Sequence, residues 1–414
     1  MQDQSPKKSV DRPGCGPITT GTQAVLKPLR QQVFEYVRAS GHAARADLTR
    51  ALEISPATAT ALTADLIAEG FLKEVEGPPR ETGRGRPPVA LSVPPGQGIV
   101  VGIKLSDEVH SAIVLDRAGT ELGAATLSTT AIKKTTEKLL SEILDLIDRV
   151  LADAGIEMAR VQAVGLGLSG LVDHELGVTH WSPALIETDV PLKALLEDRL
   201  ARPVHIDNDV NLLTLAELWF GVGRTRSDFA VVTIEHGVGM GVVLDNRVFR
   251  GSRGMGMELG HTKVQLDGAL CRCGRRGCLE AYIADYALVR EASTALDRPL
   301  RNLQSQQAML EARYAQARAG NEAALTIFRR AGRYLAVGLS NVIQIFDPDL
   351  IILSGARMQF EYLYADEVMT ETLGLSLTTR PKPPTVEIHA WGDSVWARGA
   401  AALALDAETD RHLG

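Results

Sequence analysis

The chain of 414 residues has no apolar run long enough to cross a bilayer. Its longest apolar stretches, such as Ile99 to Leu105 and Phe229 to Ile234, are strand-length, against the roughly 20 residues a spanning helix needs. The N-terminus is polar, carries prolines and glycines, and lacks the apolar centre of a secretory leader. A cytoplasmic protein with no membrane partner is therefore expected. Positive charge is also short: the net charge is −7, which argues against a chain coated all over by nucleic acid but leaves room for a small module with a local basic face. Cysteine is scarce, with four in the whole sequence. Cys15 stands alone, whereas Cys271, Cys273 and Cys278 share one short segment. In a reducing compartment such a cluster points to a metal before it points to disulfides.

The length exceeds one ordinary domain and allows two or three cores. Residues 1–22, rich in serine, proline, glycine and charge, are expected to form a disordered tail. Residues 23–93 read as helices followed by short strands. Leu29, Val33, Phe34 and Val37 recur at helical spacing, and a second helix spans Arg45 to Leu52. After a turn at Glu53 and Ile54 a third helix opens, with Ser55 as its cap and Pro56 in its first turn, where proline is tolerated. Phe71 to Val75 and Val89 to Val93 read as paired strands around a polar tip, and Pro94, Pro95 and Gly96 mark a linker. From residue 97 to 414 strand and helix signals alternate, the pattern of an α/β domain. Ile99 to Asp116 is echoed by Phe229 to Asp245, each reading strand, turn, strand, as two lobes on one duplicated plan would.

Short helix, tight turn and second helix fit a winged helix-turn-helix, in which one helix enters the major groove and the preceding one braces it. Ala59, Leu62 and Leu66 face the core, which turns Ser55, Ala57, Thr58 and Thr60 toward DNA. Arg84 and Arg86, set among glycines on the wing tip, suit a narrow, electronegative minor groove. The plainer alternative is a three-helix interaction domain with a solvated basic loop.

His261 with Cys271, Cys273 and Cys278 supplies one imidazole and three sulfurs, the donor set of a structural zinc site without an open position; incidental cysteines or a redox pair are the alternatives. Nearby polar groups are Asp207, Asn208, Asp209 and Asn211, then Glu258 and Glu280. Carboxylates and carboxamides match the hydroxyls of a sugar, although Asp and Asn in this arrangement also cap helices.

The segments GLGLSGLVD (165–173), NDVN (208–211), GVGMG (237–241), ELGH (258–261) and CRCGRRGCLE (271–280) occur in an order that resembles the ROK family of repressors and sugar kinases. The resemblance runs from about residue 26 to the C-terminus. It implies a two-lobed, actin-like (sugar-kinase/ribonuclease-H-like) fold behind the winged head, with a sugar in the cleft between lobes. It further implies that Asn208, Asp209, Glu258, His261 and Glu280 contact that sugar, His261 also serving the metal. In the family's kinases the aspartate at position 209 is the general base.

One departure decides the expected activity. Where the kinases carry Asp-x-Gly-Gly-Thr between the first two strands, this chain has Lys104, Leu105, Ser106, Asp107, Glu108 and Val109. No glycine brings backbone N–H groups to a phosphate, and two carboxylates repel one. Ala184 also replaces an asparagine common in relatives. The expectation is a sugar-responsive regulator, a homodimer or tetramer binding a double-stranded operator, with a hexose or N-acetylhexosamine as effector and no catalysis. The rivals are an active ATP-dependent sugar kinase and a repressor controlled by a protein partner.

Overall fold

A computed structural model of the chain describes residues 14–18, 27–76, 89–130, 132–252, 254, 256–295, 306–355, 358, 366–377, 383–389, 392 and 394–414. Three helices lead: α1 (Leu29–Ser40), α2 (Arg45–Ala51) and α3 (Pro56–Ala68). Val33, Phe34 and Val37, on one stripe of α1, are fully buried with Leu48, Leu66 and Leu91. Local chemistry sets the starts of α2 and α3: Asp47 accepts the Ala44 N–H at 3.0 Å ahead of α2, and Ser55 Oγ accepts the Thr58 N–H at 3.0 Å ahead of α3. Pro56 occupies the first helical position, where its missing N–H costs nothing. Strands β1 (Lys73–Glu76) and β2 (Val89–Ser92) pair antiparallel, Lys73 opposite Ser92. Ala43 adds an isolated antiparallel bridge to Leu91, which the sequence pattern does not reveal. The tip between the strands, with Arg84 and Arg86, lies outside the described residues.

Among the described residues, the remaining strands form two five-stranded sheets and a two-stranded ribbon. The first contains β3 (Ile99–Lys104), β4 (Val109–Leu115), β5 (Glu121–Ser128), β6 (Val161–Leu168) and β9 (Val204–Asn208), in the order β5-β4-β3-β6-β9. Beside it stands a small ribbon of β7 (Leu171–Asp173) and β8 (Val178–Trp181). The second sheet contains β10 (Phe229–Ile234), β11 (Val238–Leu244), β12 (Arg247–Phe249), β13 (Leu350–Ser354) and β14 (Thr385–His389), in the order β12-β11-β10-β13-β14. The two orders are the same, 3-2-1-4-5 in each sheet's own chain sequence, so the echo between residues 99–116 and 229–245 reflects one plan used twice.

By contact the chain divides into two compact units, one of residues 8–227, 243–255 and 392–414, the other mainly of 228–242 and 256–391. In the first unit α4 (Thr136–Ala154) lies against β4 and β5 and buries Leu139, Leu140, Ile143, Leu146 and Val150 in one core with Val101 and Ile103 of β3. The opposite face of β3 and β6 receives α12 (Val395–Leu413), which also packs on α6 (Asp209–Phe220). Between β8 and β9 runs α5 (Leu192–Leu200). α12 comes so close that a Cβ on Gly165 would stand 1.8 Å from the carbonyl oxygen of Ala400. The second unit carries α7 (Glu280–Ile283), α8 (Asp285–Ala295), α9 (Gln306–Arg318), α10 (Glu322–Phe346) and α11 (Asp366–Leu375). Its strands β10, β13 and β14 run parallel.

Residues 14–18 depart from the expected disordered tail. Cys15 is buried, and the Gly16 N–H donates to the Trp219 carbonyl at 2.9 Å. Composition misses this because the burial depends on partners some two hundred residues away. The linker at residues 94–96 is likewise no free hinge: the Gly96 N–H donates to Asp116 Oδ2 at 2.8 Å.

The contact at Gly165 yields a test. Gly165→Val forces α12 off the sheet, and a cost of about 1–3 kcal/mol or more is expected for such overpacking. Urea denaturation of the two proteins measures it, and equal midpoints would refute the close approach.

Candidate metal cluster and ligand-binding residues

The short turn Leu259–His261 and the loop that follows bring four donors together. One ligand atom from each of His261, Cys271, Cys273 and Cys278 lies within 4.8 Å of every other. Cys271 and Cys278 are buried, Cys273 exposed. The loop closes by hydrogen bonds from Cys271 N–H to Arg275 O (2.8 Å) and Gly277 N–H to Ala269 O (2.9 Å). Gly277 has φ of +74°, and a Cβ there would meet Gln265 O at 1.7 Å, so no other residue fits. Burial pushes the Cys271 thiol up to about 12, which means its thiolate needs a cation beside it. Lys263 Nζ stands 2.9 Å from Cys278 Sγ. The arrangement can hold a metal ion through four protein ligands.

Two carboxylates attach to this cluster. His261 presents Nδ1 to Cys271 Sγ at 3.7 Å and Nε2 toward Glu258 Oε2 at 3.9 Å. Glu280 Oε1 lies 3.5 Å from Cys271 Sγ and 3.2 Å from the Tyr286 hydroxyl, while its Oε2 accepts the Val238 N–H at 3.4 Å. Glu280 therefore ties the start of β11, just after Gly237, to Cys271. Tyr286 is a member of this group that motif reading misses. Its phenol is pushed upward, chiefly by burial and then by Cys271 and Glu280, and Arg272 stacks 4.1 Å from its ring. Of the residues singled out for sugar contact, Glu258, His261 and Glu280 are thus grouped in the second unit.

Asn208 and Asp209 are grouped in the first unit, at the start of α6. Asn208 Oδ1 accepts the Val210 N–H and its Nδ2 donates to Gly170 O, both at 2.9 Å, so the helix-capping role weighed from the sequence is present. Asp209 Oδ2 accepts the Ser169 hydroxyl at 2.5 Å. Asp207 and Asn211 point inward instead. Asp207 is 1% exposed; its Oδ1 accepts from Asn211 Nδ2 at 2.8 Å and its Oδ2 from Arg250 Nε at 2.7 Å. That ion pair had no sequence signal, since Arg250 is 43 residues away.

The turn at 105–109 is closed by its own side chains. Ser106 Oγ donates to Val109 O at 2.5 Å, and the Ser106 N–H donates to His110 Nδ1 at 3.1 Å. With Nδ1 accepting, the proton sits on Nε2 and is shared with Glu142 Oε2 at 3.2 Å. His110 is fully buried, and burial above all lowers its pKa, against the pull of Glu142. Lys104, at the head of the turn, lies over the Trp396 ring at 3.7 Å.

On the third helix, Ala59 and Leu66 are fully buried and Leu62 partly so, while Ser55, Ala57 and Thr60 are exposed and Thr58 half-buried. The hydroxyls are already used locally: Thr58 Oγ1 meets Ser55 Oγ at 2.8 Å, and Thr60 donates to Pro56 O at 2.8 Å.

Two sheets of like order, flanked by helices, define an actin-like α/β kinase fold preceded by a helical head. The chain belongs to the ROK family, whose sequence pattern matches residues 100–407. It is 27% identical over 355 residues to the xylose repressor of Caldicellulosiruptor bescii, covering 84% of this chain and 88% of the relative. Among solved structures it resembles a ROK family transcriptional regulator described as a homologue of the E. coli MLC protein, with a TM-score of 0.76 and 25% identity over 93% of this chain and 96% of that one. It also resembles the ROK hexokinase of Thermus thermophilus, with a TM-score of 0.64 and 30% identity, but over 75% of this chain and 99% of the hexokinase. No helix among the described residues is long and apolar enough to cross a membrane.

Two outcomes are expected. Cys278→Ser, or exhaustive chelation, lowers the thermal midpoint by at least about 2 °C, the shift that about 1–2 kcal/mol gives in a body of this size; an unchanged midpoint would refute a structural metal. For His110, the folded-state pKa lies below the unfolded value near 6.5, so its contribution is complete above that pH and drains away as pH falls toward the folded value. His110→Asn should flatten the fall in urea midpoint between pH 7 and pH 5, by no more than ~1.4 kcal/mol per pH unit.

Proposed function

We propose that the protein is a sugar-responsive DNA-binding repressor whose kinase-like body senses ligand without phosphorylating it. The observation that carries this reading is the full-length likeness to a ROK transcriptional regulator, which extends over 93% of the chain, whereas the hexokinase accounts for 75%. The head before residue 100 acts as a winged helix-turn-helix. Its α3 enters the major groove with Ser55, Ala57, Thr58 and Thr60 facing DNA, and Arg84 and Arg86 reach the minor groove. The small residues of α3 allow close approach and methyl contact with thymine. A homodimer, or a tetramer, presents two heads to half-sites about one helical turn apart.

Asn208, Asp209, Glu258, His261 and Glu280 are the residues that contact the sugar. A hexose or N-acetylhexosamine suits this set, and the name of the xylose repressor relative adds xylose. His261, Cys271, Cys273 and Cys278 would hold a zinc ion with four protein ligands, and the site would then serve to fix Glu258 and Glu280 in place. Phosphoryl transfer is mostly positioning and charge stabilisation. A turn without glycine, bearing exposed Asp107 and Glu108 and tied shut by Ser106 and His110, does neither for ATP, so Asp209 is retained for binding. The sugar shifts operator affinity only by its differential affinity for two states of the protein.

Fluorescence anisotropy at fixed salt, with DNA from upstream of its own gene and a panel of glucose, xylose and N-acetylhexosamines, tests the reading. Saturable binding that beats random DNA is expected, with one sugar changing the affinity by about 5–150-fold. Asp209→Ala should abolish the sugar effect and keep the DNA binding. Failure on this DNA and on a genomic fragment library, together with sugar-dependent ADP release from ATP, would make the protein a kinase instead.

A further inference from the structure

The end of α1 and the end of α6 meet around two buried guanidinium groups. Arg38, 2% exposed, lies 4.3 Å over the Trp219 ring and 5.2 Å over Phe34, and donates to Thr409 Oγ1 of α12 at 2.9 Å. Arg224, 3% exposed, follows α6 in a short 3-10 turn. Its Nε donates to Gly16 O at 3.0 Å, and its Nη2 to Ala39 O near the C-terminus of α1. Residues 14–18 run between the two helix ends as a strap. Cys15 N–H donates to Arg38 O at 3.1 Å, Gly16 N–H to Trp219 O at 2.9 Å, and Ile18 N–H to Arg224 O at 2.7 Å.

Helix ends explain the pattern. The last carbonyls of α1 and α6 have no partner within their helices, and a cation is favoured there by the helix dipole. The strap and Arg224 satisfy carbonyls on both, so neither helix end can move alone without leaving buried acceptors unpaired. Gln31 Nε2 to Asp410 Oδ1 at 2.5 Å and Arg117 stacked 4.3 Å from the Phe71 ring add further ties between head and body. Burial pushes the Cys15 thiol up to about 11 despite Arg38 and Arg224 nearby.

We propose that Arg38, Trp219, Arg224 and the strap at residues 14–18 form a joint that fuses the helical head to the α/β body, so that α6 carries a change at Asp209 directly to α1 and the DNA-reading helix it supports. Arg38 and Arg224 are its positioning residues. α6 is a single rod of twelve residues, spanning about 18 Å from Asp209 to Phe220 at 1.5 Å per residue. The role assigned to Asp209 and α3 rests on the proposed function; the fusion itself does not.

The test has two arms, both on the full chain. In the first, Cys15 alkylation by N-ethylmaleimide is followed by peptide mass spectrometry. Wild type should react at least about tenfold more slowly than Arg38→Lys or Arg224→Lys, because reaction requires local opening. Reaction of native wild-type Cys15 as fast as in urea would overturn the joint. In the second, the ratio of operator affinity with and without sugar is measured for variants whose circular dichroism is native. The ratio should fall to within about twofold of unity, from the 5–150-fold span of a coupled pair of sites. A variant that exposes Cys15 yet keeps the full ratio overturns transmission through the joint. A wild type that binds no operator, or ignores every sugar, defeats the proposed function, and the alkylation arm still decides whether head and body are fused.

Discussion

The backbone of α12 lies against β6 with the Ala400 carbonyl in the space where any residue but glycine at 165 would carry its side chain. Much of the first unit follows from that approach. It seats α12 on β3 and β6, gives α6 a second helix to pack on, and carries the last turns of α12 to the head, where Thr409, Asp410 and Leu413 meet Arg38, Gln31 and the three-helix core. A helix held off by a single methyl group would lose these contacts together, since cores transmit displacement and do not absorb it.

The sequence made the locally determined parts legible. Ser55 and Pro56 mark the start of α3 because a cap and a first-turn proline act within four residues. The three cysteines and His261 announce their cluster because ligand types and spacing are short-range facts. Groups joined across the chain were not legible. Nothing near Asp207 announces Arg250, nothing in the polar stretch around Cys15 announces Trp219, and His110 shows no sign of Glu142, 32 residues away. The candidate site was readable as a set of residues, while the way each is committed to its neighbours depended on tertiary packing.

Those commitments shape what the site can do. Asn208 caps α6 with its Oδ1 and donates its Nδ2 to Gly170 O, Asp209 takes the Ser169 hydroxyl, and Glu280 is shared among Val238, Tyr286 and Cys271. Side chains anchored in this way lose little freedom when a ligand arrives, so less ordering entropy opposes binding. The same anchoring joins these side chains to structural elements: Asn208 and Asp209 to the start of α6, Glu280 to the loop of His261 and the three cysteines.

A chain laid out as one plan used twice holds two copies of every turn, and each copy can take up a separate trade. The turn after the opening strand of the first sheet has hardened into a knot of Ser106, His110 and Glu142. Its counterpart after β10 turns at Gly237, and the Val238 N–H that follows is held by Glu280. Redundancy of this kind leaves each sheet its own version of the same turn, so one can be closed by side chains while the other is held by a carboxylate from a distant helix.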